Sequence, residues 1–387
     1  MPPSASLAEL ARSFLDLWHH FDGVEARRFD REGPEPRLRP FDRVASRQYA
    51  AAVRSLEGAV LELELESLDD EIDRTVLLAS IRPQARRHHR DHPERVDPTL
   101  WTGRLLSVLE ARPGDGETLE MIPVWVDAAR ATVAGPPLAA LPVALDDVAA
   151  ARTALARSEW WRADQDALSW AAAALDRLER FLRLETMPDP EAGAGALGDD
   201  AVGWYLHHAG LIELGAGEAA RRLRHRAETL RPQVDSLGKA RAPTLDLRGA
   251  AEAYGQGLRH QESEIRRRLA APAWLEAFAL FVAVSGSGAA PDQPTEPATL
   301  WERIQLGRID LATQVADPEA PTALPDSIPA GPAALRHPLE AAIVALLALE
   351  WQGQRTTWAG DTGSFVGAVV EHGVFHPVLA GWRLGLP

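Results

Sequence analysis

The spacing of its apolar residues constrains this chain more than any other feature. They recur every three or four positions in segment after segment, and proline, glycine or a capping residue separates most segments from the next. Leu7, Leu10, Ala11, Phe14, Leu17 and Trp18 form the first such stripe, opened by Ser6-Leu7-Ala8-Glu9 in the form of a capping box. A stripe of this period lies on one face of a helix and must be buried against another element. Gly33-Pro34-Glu35-Pro36 ends the first unit, and a second helix is expected over Arg43–Glu66. Within it, Leu61-Glu62-Leu63-Glu64-Leu65-Glu66 alternates as a strand does. Its residues are strong helix formers, and Leu61, Leu65, Leu68 and Ile72 also fit a helical stripe, so it is read as helix.

Further helices are expected from Ser67-Leu68-Asp69-Asp70 onward through Ile81, over Thr99–Glu110 behind the Asp97-Pro98 cap, and over Thr118–Ala134 with Pro123 early in it. Asp146–Arg157, Asp164–Leu184, Asp200–Leu214, Gly217–Leu237, Leu247–Leu269 and Pro272–Val284 continue the series. Ser285–Pro297 and Asp317–Pro332, small, polar and proline-rich, are read as linkers around a short helix, Thr299–Ala316. Leu339–Trp351 and Ser364–His372 follow. No run of β-branched strands between turns and no regular repeat is present, so the fold class is all-α, a large multi-helix array. The expected organisation is an N-terminal helical region over 1–284, a linker over 285–298, and a C-terminal helical region over 299–387 that packs on the first as one compact unit.

Charge and composition exclude several function classes. The 387 residues carry a net charge of −15, which disfavours nucleic acid and anionic membrane surfaces as partners. There is no cysteine, which removes disulfides, thiolate nucleophiles and zinc–thiolate sites together. Lys239 is the one lysine, so a Schiff-base or P-loop lysine would have to be that residue, which reads as a solvated helix end. Met1–Ser6 lacks a basic and an apolar region of signal-peptide type, and the longest apolar runs, Trp274–Val284 and Leu339–Leu349, are far short of the ~20 residues a membrane span needs. The expected location is the cytoplasm.

Val284-Ser285-Gly286-Ser287-Gly288 lacks the first glycine of a nucleophile elbow and reads as a flexible loop. His88-His89-Arg90-Asp91-His92 is the densest of the histidine clusters. On a continuing helix His88 and His92 would share a face with room for one metal, but Arg86, Arg87 and Arg90 oppose a cation there, and the cluster is read as a polar helix end. His207 and His208 point about 100° apart on a helix, so they do not chelate one ion; one of them is expected to face the interior. His372 and His376 have the His-x-x-x-His spacing, but Gly373 and Pro377 break the helix between and after them. The acidic groups Asp69-Asp70-Glu71 with Asp73, Asp146-Asp147 and Asp199-Asp200 are read as helix starts, where negative charge meets the macrodipole. The 12 tryptophans are read as mostly core, with a few lining a pocket. Nowhere is a histidine followed directly by glutamate, so the helical zinc-hydrolase motif His-Glu-x-x-His is absent from the sequence.

Three stretches nonetheless carry a family-like pattern. Leu68-Asp69-Asp70-Glu71-Ile72-Asp73-Arg74-Thr75-Val76-Leu77-Leu78 is followed by helices of the Leu100–Leu109 and Ile122–Val133 type. Leu175–Leu184 precedes Gly198-Asp199-Asp200-Ala201-Val202-Gly203-Trp204-Tyr205-Leu206 and Ala216–Leu237. The third is Gly360-Asp361-Thr362-Gly363-Ser364-Phe365, with Val369–Pro377 after it. In these the chain resembles the bacterial domain-of-unknown-function family 885, whose fold is similar to that of the thermostable zinc carboxypeptidases. The resemblance implies a metallocarboxypeptidase-like helical fold. Members of that family are longer and carry a His-Glu-x-x-Pro-Gly-His segment where this chain, after Leu269, has Pro272–Val284, a linker and a short helix. No metal or catalytic residue is carried over.

The resulting expectation is a metal-free pseudoenzyme, a degenerate hydrolase relative that binds a small molecule or a protein and needs no cofactor. Its candidate ligand residues are Trp204, Tyr205, His207, His208, His260 and Glu264. The alternative is a metal-independent enzyme in the same groove, with His260 and Glu264, four apart on one helix, paired as an oriented base.

Overall fold

The structure is a computed structural model; it describes residues 6–30, 32–41, 43–138, 140–157, 160, 164–189, 197–236, 263–285, 296–315, 339–372 and 374–386. Among the described residues there are sixteen α-helices and no strand. In chain order they are α1 (Leu7–Phe29), α2 (Arg43–Leu61), α3 (Leu68–Arg86), α4 (Pro93–Val96), α5 (Pro98–Ala111), α6 (Gly116–Thr132), α7 (Ala140–Leu155), α8 (Gln165–Arg180), α9 (Asp199–His208), α10 (Ala216–Ser236), α11 (Glu264–Leu269), α12 (Pro272–Val284), α13 (Glu296–Val315), α14 (Glu340–Thr357), α15 (Thr362–His372) and α16 (Pro377–Leu384). Wide π-type turns continue α3 over Arg87–Asp91 and α8 over Phe181–Glu185. None of the helices is long and apolar enough to cross a membrane.

The chain divides into two compact units. One comprises Met1–Ala8, Glu62–Pro83 and Leu197–Pro387; the other comprises Glu9–Leu61 and Gln84–Ala196. These borders differ from those expected at 284 and 299. The helices on either side of the 285–298 segment, α12 and α13, pack together and both pack on α14, so that segment connects parts of a single unit. In the same unit α10 packs on α13. The other unit is built on α5 against α7 and α6 against α8.

Each unit has its own aromatic core. In the 197–387 unit Phe278 touches Phe281, Trp351 and Phe375 with centroids 5.1–6.2 Å apart, and Phe365 closes on Trp351. Burying each such ring contributes roughly 1.5–3 kcal/mol. In the other unit Phe41 meets Trp101 and Trp125 edge to face, those two indoles lie tilted on one another at 4.8 Å, and Trp18 and Trp160 are fully buried. At Gly307 α13 and α14 approach closely: a Cβ there would lie 2.9 Å from Ala345 Cβ and 3.0 Å from the Ala341 carbonyl, so glycine sets their separation.

Capping chemistry starts several helices where expected. Asp97 accepts the Thr99 N–H at 2.9 Å, with Pro98 at the first helical position. Asp115 caps α6 and accepts the Thr118 N–H at 3.0 Å, so the helix begins at Gly116, two residues ahead of the expected Thr118. Pro272–Val284 is helix over the expected span.

Two expectations are corrected. α2 ends at Leu61, and residues 63–66 are neither helix nor strand. Leu63 and Leu65 are half-buried while Glu64 and Glu66 are exposed, so the period-two pattern reports alternating burial in a segment that is not helical. Asp146-Asp147 does not start a helix. α7 begins at Ala140, and Asp147 is buried in its interior, accepting the Thr102 hydroxyl at 2.9 Å. Lys239, the 317–332 linker and most of 247–269 lie outside the described residues.

Candidate functional sites

The residues singled out from sequence gather at the end of α9. Trp204 and His208, one turn apart, have ring centroids 4.4 Å apart; Tyr205 meets Trp204 edge-on at 5.2 Å, and His207 meets His208 edge-on at 4.6 Å. His207 is exposed and the other three are half-buried, so neither histidine is wholly interior as had been expected of one. Arg82 of α3 places Nη1 3.3 Å from His208 Nδ1. A guanidinium only donates, so His208 accepts at Nδ1, and in the neutral ring the proton lies on Nε2.

The backbone behind this cluster is pinned. Trp274 Nε1 donates to the Ala209 carbonyl at 3.3 Å, and His376 Nε2 bonds the Gly210 carbonyl at 2.8 Å. These groups satisfy carbonyls that the end of a helix leaves open. His376 is fully buried at the start of α16, and burial pushes its imidazole down to about 4. His372 ends α15, so the His372/His376 pair shares no helix face.

Of the remaining sequence candidates, His260 lies outside the described residues. Glu264 is in the first turn of α11, and its carboxylate accepts from Arg268 Nη1 at 3.0 Å, one turn on. Asp69 and Asp73 do more than start a helix. Arg266 binds Asp69 at 3.2 Å and Asp73 at 2.8 Å, Arg383 reaches Asp69 at 3.4 Å, and Ser263 donates to Asp73 at 2.7 Å. This ties α3 to α11 and α16. Burial raises the Asp73 carboxyl against those partners.

A second cluster, in the other unit, was largely missed. Two helix irregularities converge on it: α1 is kinked at Asp22 (φ −137°, ψ 76°), and the π-type turn Arg87–Asp91 leads to His92 in the left-handed region (φ 46°). At the kink, buried Arg104 of α5 donates from Nε to Asp22 at 3.1 Å and from Nη2 to Asp22 at 3.0 Å and Glu25 at 3.1 Å. Burial works to lower the Arg104 guanidinium, but the two carboxylates hold it above its ordinary value.

Beside it, Phe21 stacks on Tyr49 at 4.0 Å, and His88 meets both rings edge-on at 4.8 and 5.4 Å. The continuing helix on which His88 and His92 would share a metal face does not exist. Both reach Glu94 instead: His92 Nδ1 lies 3.2 Å from Oε1, and His88 Nδ1 lies 3.7 Å from Oε2, beyond hydrogen-bond reach. Both ring nitrogens of His88 and Glu94 Oε2 are buried with no hydrogen-bond partner in the protein.

Burial lowers the His88 imidazole. Burial also works to raise Glu94, but the two imidazoles hold it below the usual carboxylate range. The cluster at neutral pH is therefore a neutral imidazole beside an ionised carboxylate. Burial raises the Tyr49 hydroxyl, and the Asp22 charge adds to it, so that group stays protonated. Among the described residues no group of three histidine or carboxylate side chains is arranged to hold a metal ion.

One stability prediction arises here. Leaving a buried polar group unsatisfied costs about 1–3 kcal/mol, and His88 sits among aromatic rings. His88→Phe is therefore expected to raise the unfolding free energy by about 1–3 kcal/mol in urea titrations. A loss of stability would show that the imidazole is satisfied in solution.

No protein-family model matches the chain, and no curated protein sequence does. A solved structure does match: "a putative lipoprotein of unknown function" from Shewanella oneidensis, with a TM-score of 0.63 over 98% of this chain and 100% of that one. The two sequences are 10% identical. The likeness shows a shared all-α fold and nothing of function.

Proposed function

We propose that this chain is a helical binding protein without metallopeptidase activity, and that its ligand face is the α9 cluster of Trp204, Tyr205, His207 and His208 with Arg82. A relation to the domain-of-unknown-function family 885, with its metal segment missing, is part of the proposal and rests on the three stretches quoted above. The observation that carries the reading is the accessible ring stack beside a guanidinium on a pinned helix end. The Arg82 guanidinium brings positive charge to this helix end, and the exposed His207 ring with the half-buried Trp204 and Tyr205 rings brings flat surface. A flat molecule carrying a carboxylate matches that set. The enzyme reading has less support at this place, because the Glu264 carboxylate is engaged by Arg268.

The test is a titration with 2-naphthoate, followed on the His208 ring by long-range nitrogen–proton correlation. Saturable binding with a Kd of about 1 mM is expected for a ligand of this size. Arg82→Gln should weaken it about tenfold, as loss of a charge-assisted contact does. Equal binding by Arg82→Gln, or by the neutral isostere 2-naphthalenemethanol, would overturn the ligand assignment. Stoichiometric zinc with chelator-sensitive peptidase activity would overturn the proposal as a whole.

A further inference from the structure

We infer that His376 is the positioning residue of the α9 face: its ring N–H holds the strained turn that sets His208 against Arg82. The consequence for a ligand rests on the reading of that face proposed above; the positioning itself does not.

The turn that ends α9 is not one the chain favours by itself. Leu211 lies in the left-handed region (φ 49°), which costs energy in a residue with a side chain. Gly210 before it has no room for one. A Cβ there would lie 2.8 Å from the Leu206 carbonyl oxygen, 3.1 Å from Ile212 Cδ1 and 3.3 Å from Ile343 Cγ1. The chain then folds back on the helix. Ile212 donates its N–H to the Leu206 carbonyl at 2.9 Å, and Ala209 and Gly210 both donate theirs to the Tyr205 carbonyl, at 2.8 and 3.2 Å. The turn is therefore tied to Tyr205 and Leu206, in the same helical turn as the ring cluster.

Such a turn persists only where its surroundings hold it. The holding groups are two ring donors from distant helices. Trp274 bonds the Ala209 carbonyl, His376 bonds the Gly210 carbonyl at 2.8 Å, and the two rings meet edge-on at 4.9 Å. The imidazole bond is the shorter of the two and is buried. A carbonyl only accepts, so His376 carries its proton on Nε2, and the bare Nδ1 is buried with no partner in the protein. That orphaned nitrogen is a cost that a phenyl ring would not carry. What an imidazole adds at this place is the Nε2 donor, and with it the turn. His208 is the last residue of α9, so loosening of the turn reaches it first and moves Nδ1 away from Arg82 Nη1, now at 3.3 Å.

The experiment compares His376→Gln, which keeps an N–H, with His376→Phe, which keeps a ring, in the full chain labelled with nitrogen-15 in histidine. In the free protein the His208 Nδ1 resonance of His376→Gln is expected to stay where the wild type has it. In His376→Phe it should move toward the position of an unbonded nitrogen. A packing role predicts the reverse order, because phenyl suits the place beside Trp274 better than an amide does. Titration with 2-naphthoate then reads the consequence: affinity within about twofold of wild type for His376→Gln and about fivefold weaker for His376→Phe, as loss of one hydrogen bond allows. Trp274→Phe removes the companion donor and keeps a ring, so it should move His208 in the same direction and decides the matter if His376→Phe does not fold. A wild type that does not bind 2-naphthoate would sink the ligand reading alone, and the His208 resonance would still decide the positioning. A His208 resonance that is the same in all the variants, or one displaced by His376→Gln and kept by His376→Phe, would overturn the inference.

Discussion

Arg104→Leu is expected to destabilise the 9–61/84–196 unit by about 3–5 kcal/mol, because it strands two buried carboxylates at once. Asp22 and Glu25 both bond the guanidinium, and all three side chains are 4–8% exposed. Glu25 has a second cation in Arg28, at 3.3 Å, and Asp22 also accepts the Glu25 N–H at 3.1 Å. Asp22 is thus the group left most exposed to the loss. Its carboxylate would have to protonate or draw in water, and either outcome disturbs the kink it holds in α1. The triple change Arg104→Leu, Asp22→Asn, Glu25→Gln removes the charges together and should recover most of the loss, since buried ion pairs replaced as a set are often near neutral. Urea unfolding of the single and triple variants gives both numbers. A single-variant loss under about 1 kcal/mol would mean that the carboxylates are already solvated in the native state.

How far this arrangement could be read from sequence depends on the range of the interactions. Local chemistry was legible. Asp97-Pro98 and Pro272 started their helices because a cap and an N1 proline act within a few residues. The start of α7 was misplaced because Asp146-Asp147 looks like a first turn, while Pro142, the real first-turn signal, lies four residues earlier among alanines and leucines. At Leu61–Glu66 helix propensity and the period-two pattern disagreed, and tertiary burial sided with the pattern.

The sites divide in the same way. Trp204, Tyr205, His207 and His208 were legible as a group because one helical turn joins them. Arg82, 126 residues away in sequence, was not. Glu94 follows Pro93 as an ordinary first-turn acid, and nothing local says that two imidazoles share it. A π-type turn has no composition of its own, so the altered direction of His88 and His92 could not be foreseen. Arg104 did leave a trace: it is the one charge among Leu100, Trp101, Leu105, Val108 and Leu109 on a buried helix. A lone arginine there demands buried carboxylates, though their identity, 79 and 82 residues earlier, comes only from the fold.

The same logic of buried charge gives the second large effect, a pair of opposed pH dependences in the 197–387 unit. Asp310 of α13 is fully buried and accepts the N–H groups of Leu339 at 2.9 Å and Ala342 at 3.2 Å, at the start of α14. Burial pushes its carboxyl up to about 7 in spite of those bonds. Between about pH 4 and 7 the folded state therefore keeps a proton that the unfolded state gives up, so this group's contribution to stability falls as pH rises, by about 4 kcal/mol across the window. His376 works the other way. Its imidazole, held at about 4 by burial, stays neutral in the folded state while the unfolded chain takes up a proton below about pH 6.5. Its contribution falls as pH drops from 6.5 to 4, by about 3 kcal/mol.

Over the shared window the two slopes nearly cancel, so the wild-type curve understates both. Subtracting the wild-type curve from each variant's isolates them. Asp310→Asn, which keeps one carbonyl acceptor for the α14 N–H groups, should gain on the wild type progressively as pH rises from 4 to 7. His376→Gln, which keeps a donor for the Gly210 carbonyl, should gain on it progressively as pH falls from 6.5 to 4. Difference curves that run flat through these windows would show that water reaches the two groups and that neither titrates as a buried charge.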